Sequence, residues 1–191
     1  FDAEELGLRG AKAFVEARTV LEPAKGMEPL AAYVAYEAGK AAIGAGDRES
    51  AAAAFELAAR PDVSISLRTT ALRALADLAP NPAAKVAGLE RERAVRETSG
   101  LLTLLATARA EAGDARGVEA VLRLLIACYP ASVGALEAVR KLGVAGMAVD
   151  AGEAGLVYYR HGQLADARKA LEAGVTESGV ADDVMGWRWY Y

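Results

Sequence analysis

The chain is poor in the residues that metal sites and covalent cross-links require. Its 191 residues include one cysteine and one histidine. The single cysteine, Cys128, excludes an intramolecular disulfide and a cysteine-rich zinc site. Because Cys128 closely follows Ile126 in an apolar helical segment, we predict a buried, unreactive thiol.

Long apolar runs and basic runs are missing as well. No uninterrupted apolar stretch approaches the roughly 18 residues that a transmembrane helix needs, so we predict no membrane-spanning segment. The net charge is −4 and the isoelectric point is near 5.2. With no cluster of Lys and Arg, this acidic balance argues against nucleic acid as the main ligand.

Aromatic residues are also scarce, whereas alanine is abundant. Aromatics make up 6% of the chain, and alanine makes up about a quarter of it. Alanine is the best helix former, and its small side chain lets helices approach closely. Strictly alternating apolar and polar runs are short, so the composition predicts an all-α protein.

Apolar periodicity and helix-ending residues predict ten or eleven helices with short connections. The Val63-Ile65-Leu67 alternation would fit a short strand, but we expect an extended lead-in to a helix because no partner strand is near. Gly143 is expected to close the short helix before it. The predicted helices cover residues 3–21, 30–43, 47–60, 67–79, 83–97, 100–112, 114–129, 132–142, 150–161, 164–174 and 181–191.

One turn pattern recurs three times along the chain. A helix ends at Gly followed by Asp or Gln, at Gly46-Asp47, Gly113-Asp114 and Gly162-Gln163, and an amphipathic helix starts directly afterwards. Recurrence of a helix–turn–helix unit is typical of helical repeat arrays rather than of catalytic domains.

Aligning the three turns assigns equivalent packing positions to the three copies. Tight helix pairs need small residues at their crossing, and a large apolar residue four positions further on would fill the groove toward the next pair. The aligned first-helix positions are Gly39, Ala106 and Gly155, the second-helix positions are Ala51, Val118 and Ala167, and the large residues are Phe55, Leu122 and Leu171. Tyr158 takes an aromatic position in the third copy alone.

The spacing of the copies is irregular. Repeat-like units are predicted near 32–63, 99–130 and 148–178, with a fourth, degenerate unit over 66–97. Because these units follow one another with short connections, we expect residues 1–191 to form a single helical-repeat domain. The ends at Phe1 and Trp187–Tyr191 suggest a part of a longer protein, in which the terminal aromatic cluster packs against the next repeat. A sugar- or peptide-binding platform is the alternative for that cluster.

The units resemble tetratricopeptide repeats, and the stretch from Tyr129 to Val175 carries a narrower resemblance. Its run Gly155-Leu-Val-Tyr-Tyr, followed by Gly162-Gln163 and Ala167, resembles the helical region that precedes the catalytic domain in bacterial soluble lytic transglycosylases. The resemblance implies a right-handed superhelix of about ten helices in antiparallel pairs, located in the cell envelope or outside the cell. Without this resemblance a cytoplasmic location is expected.

No residue pattern predicts catalysis, a cofactor or a metal. The transglycosylase motif is absent, because the nearest match, Glu97-Thr98-Ser99, leads into an apolar helix. His161 lies in a turn without a second His or Cys ligand, so we expect a residue that caps a helix end. The adjacent pairs Glu4-Glu5 and Asp182-Asp183 would diverge by about 100° on a helix and form no catalytic dyad.

Three functions remain open from the sequence. The first is a non-catalytic scaffold of a lytic transglycosylase, which would contact a partner, its own parent's catalytic domain or peptidoglycan. The second is a free-standing adaptor that binds protein or peptide partners through Lys40, Arg109 and Arg160 on a concave face. The third is an all-α enzyme, although no nucleophile, base or metal-ligand set is clustered.

Overall fold

The computed structural model describes residues 28–176, with side chains from residue 30 to residue 174. Helices are the only regular secondary structure in this part of the chain, which confirms the all-α prediction. The predicted helices over 3–21 and 181–191, and the terminal aromatic cluster, lie outside the described residues. Within them the helices are α1 (Glu28–Gly44), α2 (Arg48–Ala58), α3 (Ile65–Asp77), α4 (Pro82–Val95), α5 (Ser99–Glu111), α6 (Ala115–Cys128), α7 (Val133–Val144), α8 (Ala151–Arg160) and α9 (Leu164–Thr176).

The repeated turn has one hydrogen-bonding scheme. At the end of α1, Gly46 adopts a φ of 77°, a left-handed conformation that favours glycine. The amide of Asp47 then donates to the carbonyl of Ala42 over 2.9 Å, and the amide of Gly46 donates to that of Ile43. The same paired bonds close α5 at Gly113 and α8 at Gly162.

The aspartate in this turn starts the following helix. The carboxylate of Asp47 accepts a hydrogen bond from the amide of Ser50 over 2.9 Å, and Asp114 accepts one from Gly117 at the same distance. These bonds satisfy amides that have no partner inside the helix. Glycine therefore ends the first helix of each of these two pairs, and aspartate begins the second.

A fourth turn of the same kind follows α7, at a position that the sequence does not predict. Gly143 was predicted to end the helix before it, but α7 continues to Val144 and Gly146 takes the left-handed conformation, with a φ of 69°. Met147 donates to the carbonyl of Leu142 over 2.9 Å, which completes the paired bonds. The next helix starts only after Asp150, whose carboxylate caps α8.

The helix predicted over 67–79 is confirmed as α3, and the non-helical lead-in before it is shorter than predicted. The helix begins at Ile65 rather than near 67, and Ser64 is its N-cap. The carbonyl of Ser64 accepts the first intrahelical bond, from Arg68, over 2.9 Å. Three alternating apolar residues do not make a strand here, because the exposed Ile65 lies in the first turn of a helix.

The described helices fall into two compact units that divide between Glu97 and Thr98. In the first, α1 pairs with α2, α3 pairs with α4, and α2 packs on α3. In the second, α5 pairs with α6 and α8 pairs with α9, and the single helix α7 packs on α6. This unpaired helix accounts for the long interval before the last copy. The prediction of a single domain stays a prediction.

Small residues let the paired helices cross closely. A Cβ added to Gly39 in α1 would lie 2.6–2.9 Å from three ring atoms of Phe55 in α2. A Cβ on Gly155 in α8 would lie 2.7 Å from two carbons of Leu171 in α9. Phe55 and Leu171 thus pack on the glycine of their own pair, and the ring of Phe55 also contributes to a cluster with Leu75 and Leu78 of the next pair.

The two helices of the degenerate unit, α3 and α4, also cross closely, but with other residues at the crossing. A Cβ on Gly88 of α4 would lie 2.9 Å from the Cα and Cβ of Ala76 in α3. The two helices are also joined by Arg73, whose guanidinium donates to both carboxylate oxygens of Glu92 over 2.6 and 2.7 Å. Glu92 is 7% exposed and is the one buried charged residue of the described core.

Candidate interaction site

A cavity of about 370 Å³ opens in the second unit, between the α5–α6 turn and the end of α7. Its walls are mostly apolar and come from three successive helices and their turns. Val118 and Leu122 form the wall on α6, and Leu142, Ala145 and Met147 form the wall on α7 and the turn after it. A volume of this size lies at the lower end of the range for ligand pockets, about 300–1,000 Å³.

Two glycine turns position these walls. Gly113, at the left-handed turn after α5, lines the cavity itself, and Asp114 then fixes the first turn of α6. On the other side, the turn at Gly146 brings Met147 back to the cavity after α7 has ended. The site therefore depends on the repeated turn and on the fourth copy of it.

Helix α6 packs differently from α2 and α9, which are the second helices of the other two repeat copies. The aligned alanines, Ala51 and Ala167, are 0% and 4% exposed, whereas Val118 is half-buried and lines the cavity. The residue before it, Gly117, is buried, and a Cβ there would collide with the carboxylate of Asp114 and the guanidinium of Arg109. The face of α6 at this turn is thus occupied by a charged pair, and Val118 is directed to the cavity.

Two charged side chains line the cavity, and only one of them forms an ion pair within the described residues. The carboxylate of Glu119 accepts a bond from Arg123 over 2.9 Å. Arg123 also donates to the carbonyl of Ala148 over 3.1 Å, which ties α6 to the segment after α7. Lys141, exposed in the last turn of α7, has no carboxylate partner in the part of the chain with described side chains.

A second carboxylate lies near Arg123 but outside the cavity lining. The pKa of Glu153, in the first turn of α8, is raised by burial and by the nearby Asp150, and Arg123 opposes that rise. Arg123 therefore acts on two carboxylates, those of Glu119 and Glu153.

The structure places the three predicted basic residues as follows. Lys40 is exposed on α1 and pairs with Glu37 over 2.9 Å, and this hydrogen bond raises the pKa of Lys40. Arg109 lies at the end of α5, where its guanidinium is 3.4 Å from the carboxylate of Asp114. Arg160 is exposed at the last position of α8. None of the three lines the cavity, and the predicted concave-face site stays a prediction.

Sequence reasoning missed Lys141 and the cavity beside it. The available signal was a lysine in the last turn of a short helix, which is an ordinary position for a basic residue. The spacing along the chain does predict a single short helix, 132–142, between two helix pairs, but nothing in it shows that this helix packs on α6 and leaves a cavity there. The cavity depends on that arrangement.

The other residues considered for chemistry have structural positions. His161 caps the end of α8, as predicted, and its Nε2 lies 3.0 Å from the carbonyl oxygen of Ser132. The prediction of a buried Cys128 is wrong, because its side chain is exposed. Cys128 is two residues beyond the buried Ile126, a rotation of about 200° that takes it off the apolar face.

The described part of the chain has no cluster of metal-ligating side chains. Among the described residues, no three His, Cys, Asp or Glu side chains come together in a way that could hold a metal ion. Likewise, no helix within residues 28–176 is long and apolar enough to cross a membrane.

Comparison with known proteins adds no assignment: no protein-family model, no curated protein and no solved structure matches the chain. We therefore infer function from the cavity and from the residues around it.

Proposed function

We propose that this chain is a non-catalytic helical-repeat scaffold that binds a segment of a partner protein. The observation that carries the proposal is the apolar cavity of about 370 Å³ between α6 and α7. Apolar concave sites with a few polar groups at the edge are typical ligand sites. Repeat proteins commonly use the surfaces of successive helices to hold partners.

The chemistry of the cavity favours binding over catalysis. Its ionisable lining consists of Glu119, which is paired with Arg123, and Lys141. No cysteine, serine, threonine or histidine side chain lines it. A nucleophile with an adjacent base, or a convergent carboxylate pair, would be needed for the common hydrolytic mechanisms.

We further propose that the scaffold belongs to an exported peptidoglycan lytic transglycosylase, whose catalytic domain it would support. The resemblance of Tyr129–Val175 to that family favours this candidate. The close packing of Gly155 on Leu171 fits the helix pair that the resemblance implies, and it fits a free-standing repeat protein equally well. A free-standing adaptor is the alternative, and it would use the same cavity.

Position-dependent photo-crosslinking in the source cells tests the scaffold function. A photoreactive residue replaces Met147, at the cavity, or the exposed Lys169 of α9 as the control. We expect a protein adduct from position 147 that is absent from position 169 and is lost when Ala145→Phe fills the cavity. Equal adducts at both positions, or none at 147, would contradict the proposal.

A separate assay tests the non-catalytic claim. The full chain is incubated with purified peptidoglycan, and released fragments are measured by mass spectrometry. We expect no release above a boiled-protein control. Sustained turnover by the chain would overturn the claim, and a reading frame of the parent gene without a transglycosylase domain would overturn the family assignment.

A further inference from the structure

We propose that the segment bound in this cavity carries one apolar side chain next to an acidic residue, with its carboxylate facing Lys141. This inference rests on the proposed scaffold function and names the chemistry of its partner. It commits to a protein segment rather than to a free fatty acid, for reasons of size and surrounding surface.

The apolar walls of the cavity determine which side chain of the bound segment inserts there as its anchor. Val118, Leu122 and Leu142 face the space from two helices, so a side chain inserted there would contact hydrocarbon on both sides. A single Leu, Met or Phe side chain fits in about 370 Å³ with room left over, since a cavity of about 150 Å³ holds a benzene ring, so a residue next to the anchor can lie at the cavity as well. Burial of one such side chain is a typical source of binding energy in an interface.

The charges at the edge of the cavity determine which residue should stand next to the apolar anchor in the bound segment. Because Arg123 already binds the carboxylate of Glu119, the lining charge left available for a ligand is the ammonium of Lys141. Lys141 is exposed and sits one helical turn before Ala145, which also lines the cavity. A carboxylate adjacent to the anchor would therefore meet a complementary charge.

The surface beyond the cavity favours a chain segment. Val144 is 93% exposed at the end of α7, and Met147, which lines the cavity, is 37% exposed. Met147 thus extends the apolar wall outward, and Val144 presents a further exposed apolar side chain at the same end of α7. A peptide continuing from the anchor would cover them, whereas a short carboxylic acid would not.

Peptide binding to the full chain tests the inference. The probes are fluorescent nonapeptides in which a central Leu, Met or Phe is followed by Glu, and matched peptides with Gln in place of that Glu. Octanoate and decanoate serve as free carboxylates. We expect the Glu peptides to bind about two- to fivefold more tightly than the Gln peptides, which is the range of an exposed ion pair, and to lose that advantage at high salt.

Two variants locate the site. Ala145→Phe should weaken binding of the Glu peptides at least about tenfold, as expected when a central anchor is blocked. Lys141→Gln should remove the preference for Glu over Gln and leave the binding of the Gln peptides unchanged. Matched controls are Ala127→Phe, on an exposed position of α6, and Lys169→Gln, on α9, which should change neither.

The outcomes separate this inference from the scaffold function. Equal binding of Glu and Gln peptides, binding unaffected by Ala145→Phe, or no binding of any peptide would overturn the inference. Tighter binding of the free fatty acids than of the peptides would also overturn it. In each case a crosslinked partner at position 147 would still support the scaffold function, and its absence would overturn that as well.

Discussion

Gly39 provides a direct test of how the helix pairs are held together. Its substitution by alanine would place a Cβ 2.6–2.9 Å from three atoms of the Phe55 ring, inside contact distance. Phe55 is fully buried, and its ring centroid lies 5.5 Å from that of Tyr36, so it has little room to move. Overpacking costs about 1–3 kcal/mol, and replacing a helical glycine by alanine returns about 0.5–1 kcal/mol. Because the ring of Phe55 cannot move away, the overpacking cost should lie in the upper half of its range, at about 2–3 kcal/mol, and we expect Gly39→Ala to lower the free energy of unfolding by about 1–2.5 kcal/mol.

Two further glycines, at less crowded positions, provide comparisons for Gly39. At Gly155 the added Cβ would meet Leu171, which is half-buried and can shift, so we expect a smaller loss for Gly155→Ala. At Gly143, inside α7, an added Cβ would meet nothing within 4 Å. Gly143→Ala is therefore expected to stabilise the protein, by up to about 1 kcal/mol.

Urea denaturation followed by circular dichroism at 222 nm gives the three free energies, and a double-mutant cycle isolates the contact. Phe55→Leu removes part of the ring, so its combination with Gly39→Ala should be less damaging than the sum of the single changes, by at least about 0.5 kcal/mol. If Gly39→Ala is as stable as the wild type, or if the cycle shows no coupling, the close packing of α1 on α2 is refuted.

Three other predictions follow from ion pairs and turns. Arg73→Met leaves the buried carboxylate of Glu92 without its bidentate partner and should cost about 3–5 kcal/mol in urea denaturation; a loss below about 1 kcal/mol would contradict this. The hydrogen bond from Arg91 lowers the pKa of Glu56, so this pair stabilises the fold above pH 4.5 and its contribution is lost as the pH falls below that value. The stability difference between the wild type and Glu56→Gln should therefore shrink from pH 6 to pH 3, and a constant difference would refute the assignment. Gly162→Ala puts a side chain at a φ of 71° and should cost about 1–2 kcal/mol, whereas an unchanged melting temperature would argue against the left-handed turn.

Local chemistry explains what could be predicted from the sequence. The turn at Gly46-Asp47 combines a residue suited to positive φ with a side chain that caps the next helix, so both helix ends are encoded within two residues. The turn at Gly146 escapes the same reasoning because Met147 follows it and the next cap, Asp150, stands several residues later. Its glycine therefore marks a helix end but not a helix pair.

Tertiary packing explains what could not be predicted. The cavity depends on how α7 packs against α6, and the spacing of residues along the chain does not show this packing even though it predicts a single helix there. Gly117 was not singled out, although a glycine inside a helix costs about 1 kcal/mol relative to alanine and so signals a reason for its presence. That reason is the Arg109–Asp114 pair lying where its Cβ would be.

Methyl NMR of the full chain tests most directly whether the cavity between α6 and α7 holds a partner segment. The measurement is a titration with the Glu peptide that binds most tightly. The account predicts shifts of the methyl signals of Val118, Leu122 and Met147, with those of Leu89 in the other unit unchanged. Saturable binding that leaves the cavity methyls unmoved, or shifts that are confined to the first unit, would contradict it.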